Sequence, residues 1–168
     1  MPFSHTPFSP QTRASEAKCQ SPYYYDDEYF TGFRKTHFMS GSCVIEYGSV
    51  SVLPSVGLNL AEATTYHRLN HTLESWTPSH YEVELPESGL KVAATNDNAA
   101  GIIKVNSAGA TAPTFFLLVA SFDTAYNESS LDITSASSVL VSNPVHRWYL
   151  STGESAGFSG HHSIKFSQ

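Results

Sequence analysis

Few stretches of this chain carry side chains whose types and spacing could do chemistry. The first is Gly153-Glu154-Ser155-Ala156-Gly157. It spells G-x-S-x-G, the pattern that in many hydrolases holds a nucleophilic serine on a tight strand-to-helix turn. The neighbourhood argues against that chemistry. The strand-like VHRWYLS precedes it, but the short remainder after it holds Gly160 and then strand-like HSIKF, with no room for the required helix. No Asp or Glu follows Ser155, and His161 and His162 follow too closely to sit on a separate loop. The upstream chain lacks the alternating helices of a doubly wound sheet. GESAG therefore reads as a Gly/Ser loop before the last strand, and no catalytic residue is expected.

A second constellation lies in NLAEATTYHRLNHTLESW, residues 59–76. Ala63, Tyr66, Leu69, Leu73 and Trp76 share one helical stripe. Asn59 and Glu62 stand where an N-cap and its N3 partner would, and Thr77-Pro78 would end the helix. A short helix is expected near 60–76, although Thr, His, Asn and Tyr are weak helix formers. On it His67, His71 and Glu74 would share a face, a spacing that can chelate a metal. As a strand, the same residues would set the two imidazoles about 13 Å apart, too far for one ion. A solvated polar flank is the plainer reading, and no metal or other cofactor is expected. His161-His162 would point to opposite faces of a strand, leaving one exposed.

The third is YYYDDEYF, residues 23–30. So many rings rarely face water. They pack either on the domain's own core or on a neighbouring subunit, with Tyr23, Tyr24, Tyr25, Tyr29 and Phe30 as interface anchors. Asp26, Asp27 and Glu28 lack the alternating spacing of a calcium loop. Trp76, Trp148 and Tyr149 are the rings that could stack on a sugar.

The elements that must position these residues are mostly strands. HYEVEL alternates Tyr81, Val83 and Leu85 against His80, Glu82 and Glu84, the period of a half-buried strand. KTHFM, SCVIEYGSVSVL, LKVAA, GIIKVNS, SSVLVS, VHRWYLS and HSIKFS read likewise between Gly, Pro, Asn and Ser breaks. TFFLLVASF is apolar on both faces and is expected as a central, doubly covered strand. About nine strands result, so the fold class is all-β: an antiparallel, jelly-roll-like β-sandwich. Residues 1–22, punctuated by prolines, are expected as an extended arm, and 23–168 as a single sandwich domain.

Composition narrows the partners. Charged residues make up only 14% of 168, and the net charge is −6 with no basic cluster. Direct nucleic-acid binding and an anionic membrane surface are therefore disfavoured. The longest apolar run, FFLLVA, is too short for a bilayer, and MPFSHTPFSP lacks the regions of a secretory leader. Cys19 and Cys43 read as free thiols, with pairing left open.

Three function classes follow, in order of weight. The first is a non-enzymatic structural subunit, self-assembling or docked to other protein subunits, such as a viral capsid, spike or decoration protein. In that case its location would be the virion. The second is a lectin-like carbohydrate-binding sandwich. The third is a small metalloenzyme around His67, His71 and Glu74. The first is an analogy at the level of fold.

Overall fold

The computed structural model describes residues 8–12, 23–35, 50–57, 66–97, 100–119, 129–143 and 160–167. In chain order its strands are β1 (Phe8–Gln11), β2 (Tyr29–Phe30), β3 (Gly32–Lys35), β4 (Val50–Val56), β5 (His67–Arg68), β6 (Glu74–Thr77), β7 (His80–Leu85), β8 (Leu90–Asn96), β9 (Gly101–Asn106), β10 (Thr114–Val119), β11 (Ser130–Ser135), β12 (Ser138–Asn143) and β13 (Gly160–Lys165). Every pairing among them is antiparallel. They form two four-stranded sheets, β1-β3-β4-β10 and β6-β7-β8-β9, a three-stranded sheet β11-β12-β13, and the short pair β2-β5.

Alternation builds the second sheet as expected. Tyr81, Val83 and Leu85 of β7 are buried, and in-register Leu90, Val92 and Ala94 of β8 join them. These residues meet Phe30, Phe33 and Leu53 in one core cluster, with Phe8, Val56, Ile103, Val105 and Leu117 packed at its edge. Inward rows from two antiparallel sheets thus share one core, which makes the fold an antiparallel β-sandwich. Each large side chain so buried contributes about 1.5–3 kcal/mol.

Two expectations change here. Thr114–Val119 of TFFLLVASF forms β10, but β10 is an edge strand of its sheet among the described residues, and the side chains of residues 114–118 are half-buried. The strands covered on both faces are β3 and β4. There Phe33 and Leu53 are buried, and so are Arg34, Ser51 and Ser55. Strand order, not hydrophobicity, decides which strand is covered twice.

The helix expected near 60–76 is also corrected over the part that is described, residues 66–76. That part forms β5, a single 3-10 turn at His71–Leu73, and β6. The poor helix formers prevail, and Asn70 supplies the reason. Its side chain accepts from the Thr72 N–H and the Thr72 hydroxyl, which favours a tight turn over a helix. Pairing of β6 with β7 then takes up the backbone groups that a helix would have used.

Within the segment expected as an arm, Phe8–Gln11 is a strand paired with β3, at the edge of its sheet among the described residues, and Phe8 stacks on Phe33 at 5.7 Å. Gln11 is buried and accepts from the Ser51 hydroxyl at 2.9 Å. The GESAG loop, Cys19, Cys43, Trp148 and Tyr149 lie outside the described residues. No helix among those described is long and apolar enough to cross a membrane.

Candidate functional site

Two distant segments converge on one carboxylate. Glu74 opens β6, an edge strand of its sheet among the described residues, and it shares a face with Trp76 two residues on. Both lie on the face of Val83 and Tyr81 across the ladder, so Glu74 is directed towards the core although its strand is at the rim. Its side chain is only 2% exposed.

YYYDDEYF arrives from the other side, held at three points. The Thr12 hydroxyl donates to Asp27 Oδ2 at 2.8 Å, and the Tyr24 N–H donates to that hydroxyl at 2.9 Å. A turn closes between the Asp27 N–H and the Tyr24 carbonyl. Beyond it, β2 pairs with β5, and the Leu69 N–H donates to the Glu28 carbonyl at 2.8 Å.

The buried carboxylate is thereby satisfied on both oxygens. Tyr81 Oη donates to Oε1 at 2.6 Å and Tyr23 Oη donates to Oε2 at 3.0 Å. His71 Nδ1 lies 2.5 Å from Oε2. Burial, reinforced by the Glu74 charge, pushes both phenols far above the ordinary tyrosine value, so they remain donors across all working pH. This supply of donors is what allows a carboxylate to be buried at all.

Rings surround this anchor. Tyr25 stacks on His71 at 4.3 Å, Tyr23 meets Trp76 edge-on at 4.9 Å, and Trp76 lies 4.3 Å from Tyr81. Tyr81 continues to Phe33 and Phe33 to Phe30, so a chain of rings runs from surface to core. At its outer end Trp76 is 50% exposed, and Tyr25, on His71, is 65% exposed. The exposed rings thus rest on side chains, His71 under Tyr25 and Tyr23 and Tyr81 beside Trp76, that the buried Glu74 carboxylate holds.

The expected site residues separate accordingly. Tyr24, Tyr25 and Tyr29 are exposed and Tyr23 is half-buried, whereas Phe30 is fully buried in the core and is not open to a neighbour. The trio His67, His71 and Glu74 does not assemble. The β5 residue His67 turns away, with Nε2 at 2.7 Å from the Pro54 carbonyl, while His71 and Glu74 pair with each other. No group of three or more His, Cys, Asp or Glu side chains that could hold a metal occurs among the described residues. His161 is exposed, with Nδ1 at 3.0 Å from the Ser142 hydroxyl, and His162 is buried, as alternation along a strand requires. Sequence reasoning placed Tyr81 only in the core. It is linked to Tyr23 through Glu74, and the Tyr23–Glu74 bond alone spans 51 residues and leaves no local signal.

Comparison with known proteins adds what geometry alone does not carry. A family model described as the glycosyl hydrolase family 92 N-terminal domain matches residues 1–168. No curated protein matches the sequence. Among solved structures, the chain is similar to a family GH92 inverting mannosidase from Bacteroides thetaiotaomicron, with 24% identity and a TM-score of 0.72 over 99% of this chain and 21% of that one. It is also similar to a family GH92 α-mannosidase from the same organism in complex with mannoimidazole, with 21% identity and a TM-score of 0.61 over 84% of this chain and 20% of that one. At these identities the likeness carries the fold. The chain spans about a fifth of the length of either structure.

These findings overturn the leading functional expectation. A structural subunit of a virion or capsid is replaced by a domain of a glycosyl hydrolase family, and the non-enzyme reading is corrected with it. Strand count, low charge and a hydroxyl-rich surface are traits of antiparallel sandwiches in general, so they could not separate a shell subunit from a hydrolase module. The carbohydrate-binding alternative agrees with the family better.

Proposed function

This chain belongs to the glycosyl hydrolase family 92 N-terminal domain, and on that premise we propose that it is the β-sandwich module of a glycoside hydrolase acting on α-mannosides. Its own contribution in this reading is to hold sugar on the Tyr25–Trp76 surface. The observation that supports this is the exposure of those two rings while the carboxylate holding the side chains they rest on is buried. A pyranose presents an apolar C–H face, and a pre-ordered aromatic ring receives it at little entropic cost.

Glu74 has a positioning role in this reading. Its oxygens are engaged by Tyr23, Tyr81 and His71, so it is not poised to exchange a proton with substrate. Glycoside hydrolysis by inversion uses two carboxyl groups flanking the scissile bond. The reading assigns that pair to the larger part of the polypeptide, beyond this domain.

The test is a titration of this chain with α-methyl mannoside and with α-linked mannose oligosaccharides, followed through the backbone amide signals of residues 23–30 and 74–77 in NMR spectra. Saturable shifts in the millimolar range are expected, with Trp76→Ala and Tyr25→Ala each weakening binding several-fold, the range that ~0.5–1.5 kcal/mol per ring implies. Shifts absent at saturating sugar, or unaffected by either substitution, would remove this reading of the surface.

A further inference from the structure

The two exposed rings are held by different parts of the chain. Trp76 lies on β6 opposite Tyr81 in the ladder, and its indole rests on Tyr81 and Tyr23. Tyr25 belongs to no strand. It is a central residue of the turn closed by the Asp27 N–H and the Tyr24 carbonyl. Its one ring contact among the described residues is His71. The turn, more than packing, therefore decides where this ring sits.

Thr12 holds that turn from another element. It directly follows β1 and is buried. Its hydroxyl joins both ends of the turn at once, accepting from the Tyr24 N–H at 2.9 Å and donating to Asp27 Oδ2 at 2.8 Å. The Tyr24 carbonyl, at 3.4 Å, is the poorer acceptor for that hydrogen. A hydroxyl donates once and can accept at the same time, and here both capacities serve one turn. Thr12 is itself fixed through its neighbour. The Gln11 carbonyl accepts from the Thr31 N–H at 2.8 Å, and the buried Gln11 side chain accepts from the Ser51 hydroxyl. The interior thus reaches the turn through Gln11 and Thr12, and the turn carries Tyr25 onto His71.

We infer that Thr12 is a positioning residue for the Tyr25 ring and, through that ring, for mannoside binding on the Tyr25–Trp76 surface. A ring already in place receives a pyranose without the entropic cost of ordering it. Without the hydroxyl, the Tyr24 N–H and the half-buried Asp27 carboxylate turn to water, and the turn opens locally. Tyr25 then leaves His71 for part of the time. Trp76 keeps its place, because the β6–β7 ladder does not involve Thr12. The inference rests on the reading of this surface as a sugar site, but the placement of the ring is measured without sugar.

Thr12→Val removes the hydroxyl at nearly constant volume, and Thr12→Ser keeps it. The imidazole C–H signals of His71 in NMR spectra report the ring stacked on them, with Tyr25→Ala as the unstacked reference. In Thr12→Val these signals should move most of the way to their Tyr25→Ala positions. Binding of α-methyl mannoside should weaken several-fold, about as much as in Tyr25→Ala. The double variant should show no further weakening, because the hydroxyl acts through the ring. Thr12→Ser should bind within about twofold of wild type. Unchanged His71 signals in Thr12→Val overturn the inference. So does an equal loss of affinity in the Tyr25→Ala background, which would mean a general loosening of the fold. Should Thr12→Val fail to fold, Asp27→Ala breaks the same link from the turn and is read by the same two criteria. If the wild-type chain binds no mannoside, the sugar reading of the surface falls, while the His71 signals still decide whether Thr12 places the ring.

Discussion

Removing the Glu74 carboxylate tests the architecture of the site most directly. In Glu74→Ala, Tyr81 Oη loses a charged acceptor at 2.6 Å in a residue only 4% exposed, where water cannot replace it. A hydrogen bond to a charged group is worth about 1.5–3 kcal/mol. Tyr23 Oη and His71 lose the same partner but are less buried, so water recovers part of their loss. Together with the vacated volume, the expected cost is about 3–5 kcal/mol, as for the removal of one partner from a buried charged cluster. For a domain of this size that lowers the melting temperature by roughly 10 °C. Glu74→Gln should cost less, roughly 1–2 kcal/mol, because one carbonyl oxygen still accepts and a phenol oxygen can receive the amide. Urea unfolding provides the assay, with a double-mutant cycle through Tyr81→Phe. A coupling of about 1–2 kcal/mol is expected between the two positions. A cost below about 1 kcal/mol for Glu74→Ala, or additive single variants, would refute the account of a carboxylate that holds the rings.

Two further outcomes follow from the fold. Burial lowers the His67 pKa below its ordinary value of 6.5, against the opposing effect of the bond to the Pro54 carbonyl. The unfolded chain therefore takes up the proton first, so this histidine's contribution is present above about pH 6.5 and is lost as pH falls towards the folded-state pKa. His67→Gln should flatten the fall in urea midpoint between about pH 7 and pH 5 relative to wild type, and an unchanged slope would contradict this. Gly89 turns the β7–β8 hairpin at φ 67°, and a Cβ there would overlap the Gly109 carbonyl. Gly57 has φ 79° with nothing near such a Cβ. Gly57→Ala should cost only the left-handed conformation, about 1–2 kcal/mol, and Gly89→Ala clearly more. Equal melting shifts for the two would show that the loops yield freely.

Much of the local structure was legible in the sequence, and the reasons are residue-specific. HYEVEL became β7 residue for residue because period-2 alternation and a half-buried strand are one constraint seen twice. The turn after Asn96 formed as composition suggested, with the Asp97 side chain accepting from the Ala100 N–H. Segment 59–76 misled because its apolar spacing fits a helical stripe, while the described part of it answers to Asn70 and to a ladder partner four residues beyond it. The functional reading misled for a different reason. No residue pattern inside a generic sandwich distinguishes a coat subunit from a hydrolase module, and the family match covering the full chain did that.

What the sequence by itself determined was the inventory: an antiparallel all-β domain, an aromatic-rich segment at 23–30, and Trp76 as a ring available to stack. Tertiary structure alone decided what those residues do together. Strand order buried Ser51 and Arg34 while leaving Phe115 and Leu118 half-covered at an edge. Chain closure over 51 residues brought Tyr23 onto Glu74 and turned a supposed metal ligand into the anchor of an aromatic surface. Local patterns encode which face of a strand is apolar, because the pleat repeats every two residues. They do not encode which strands become neighbours, since that depends on the summed packing of contacts far apart in the chain.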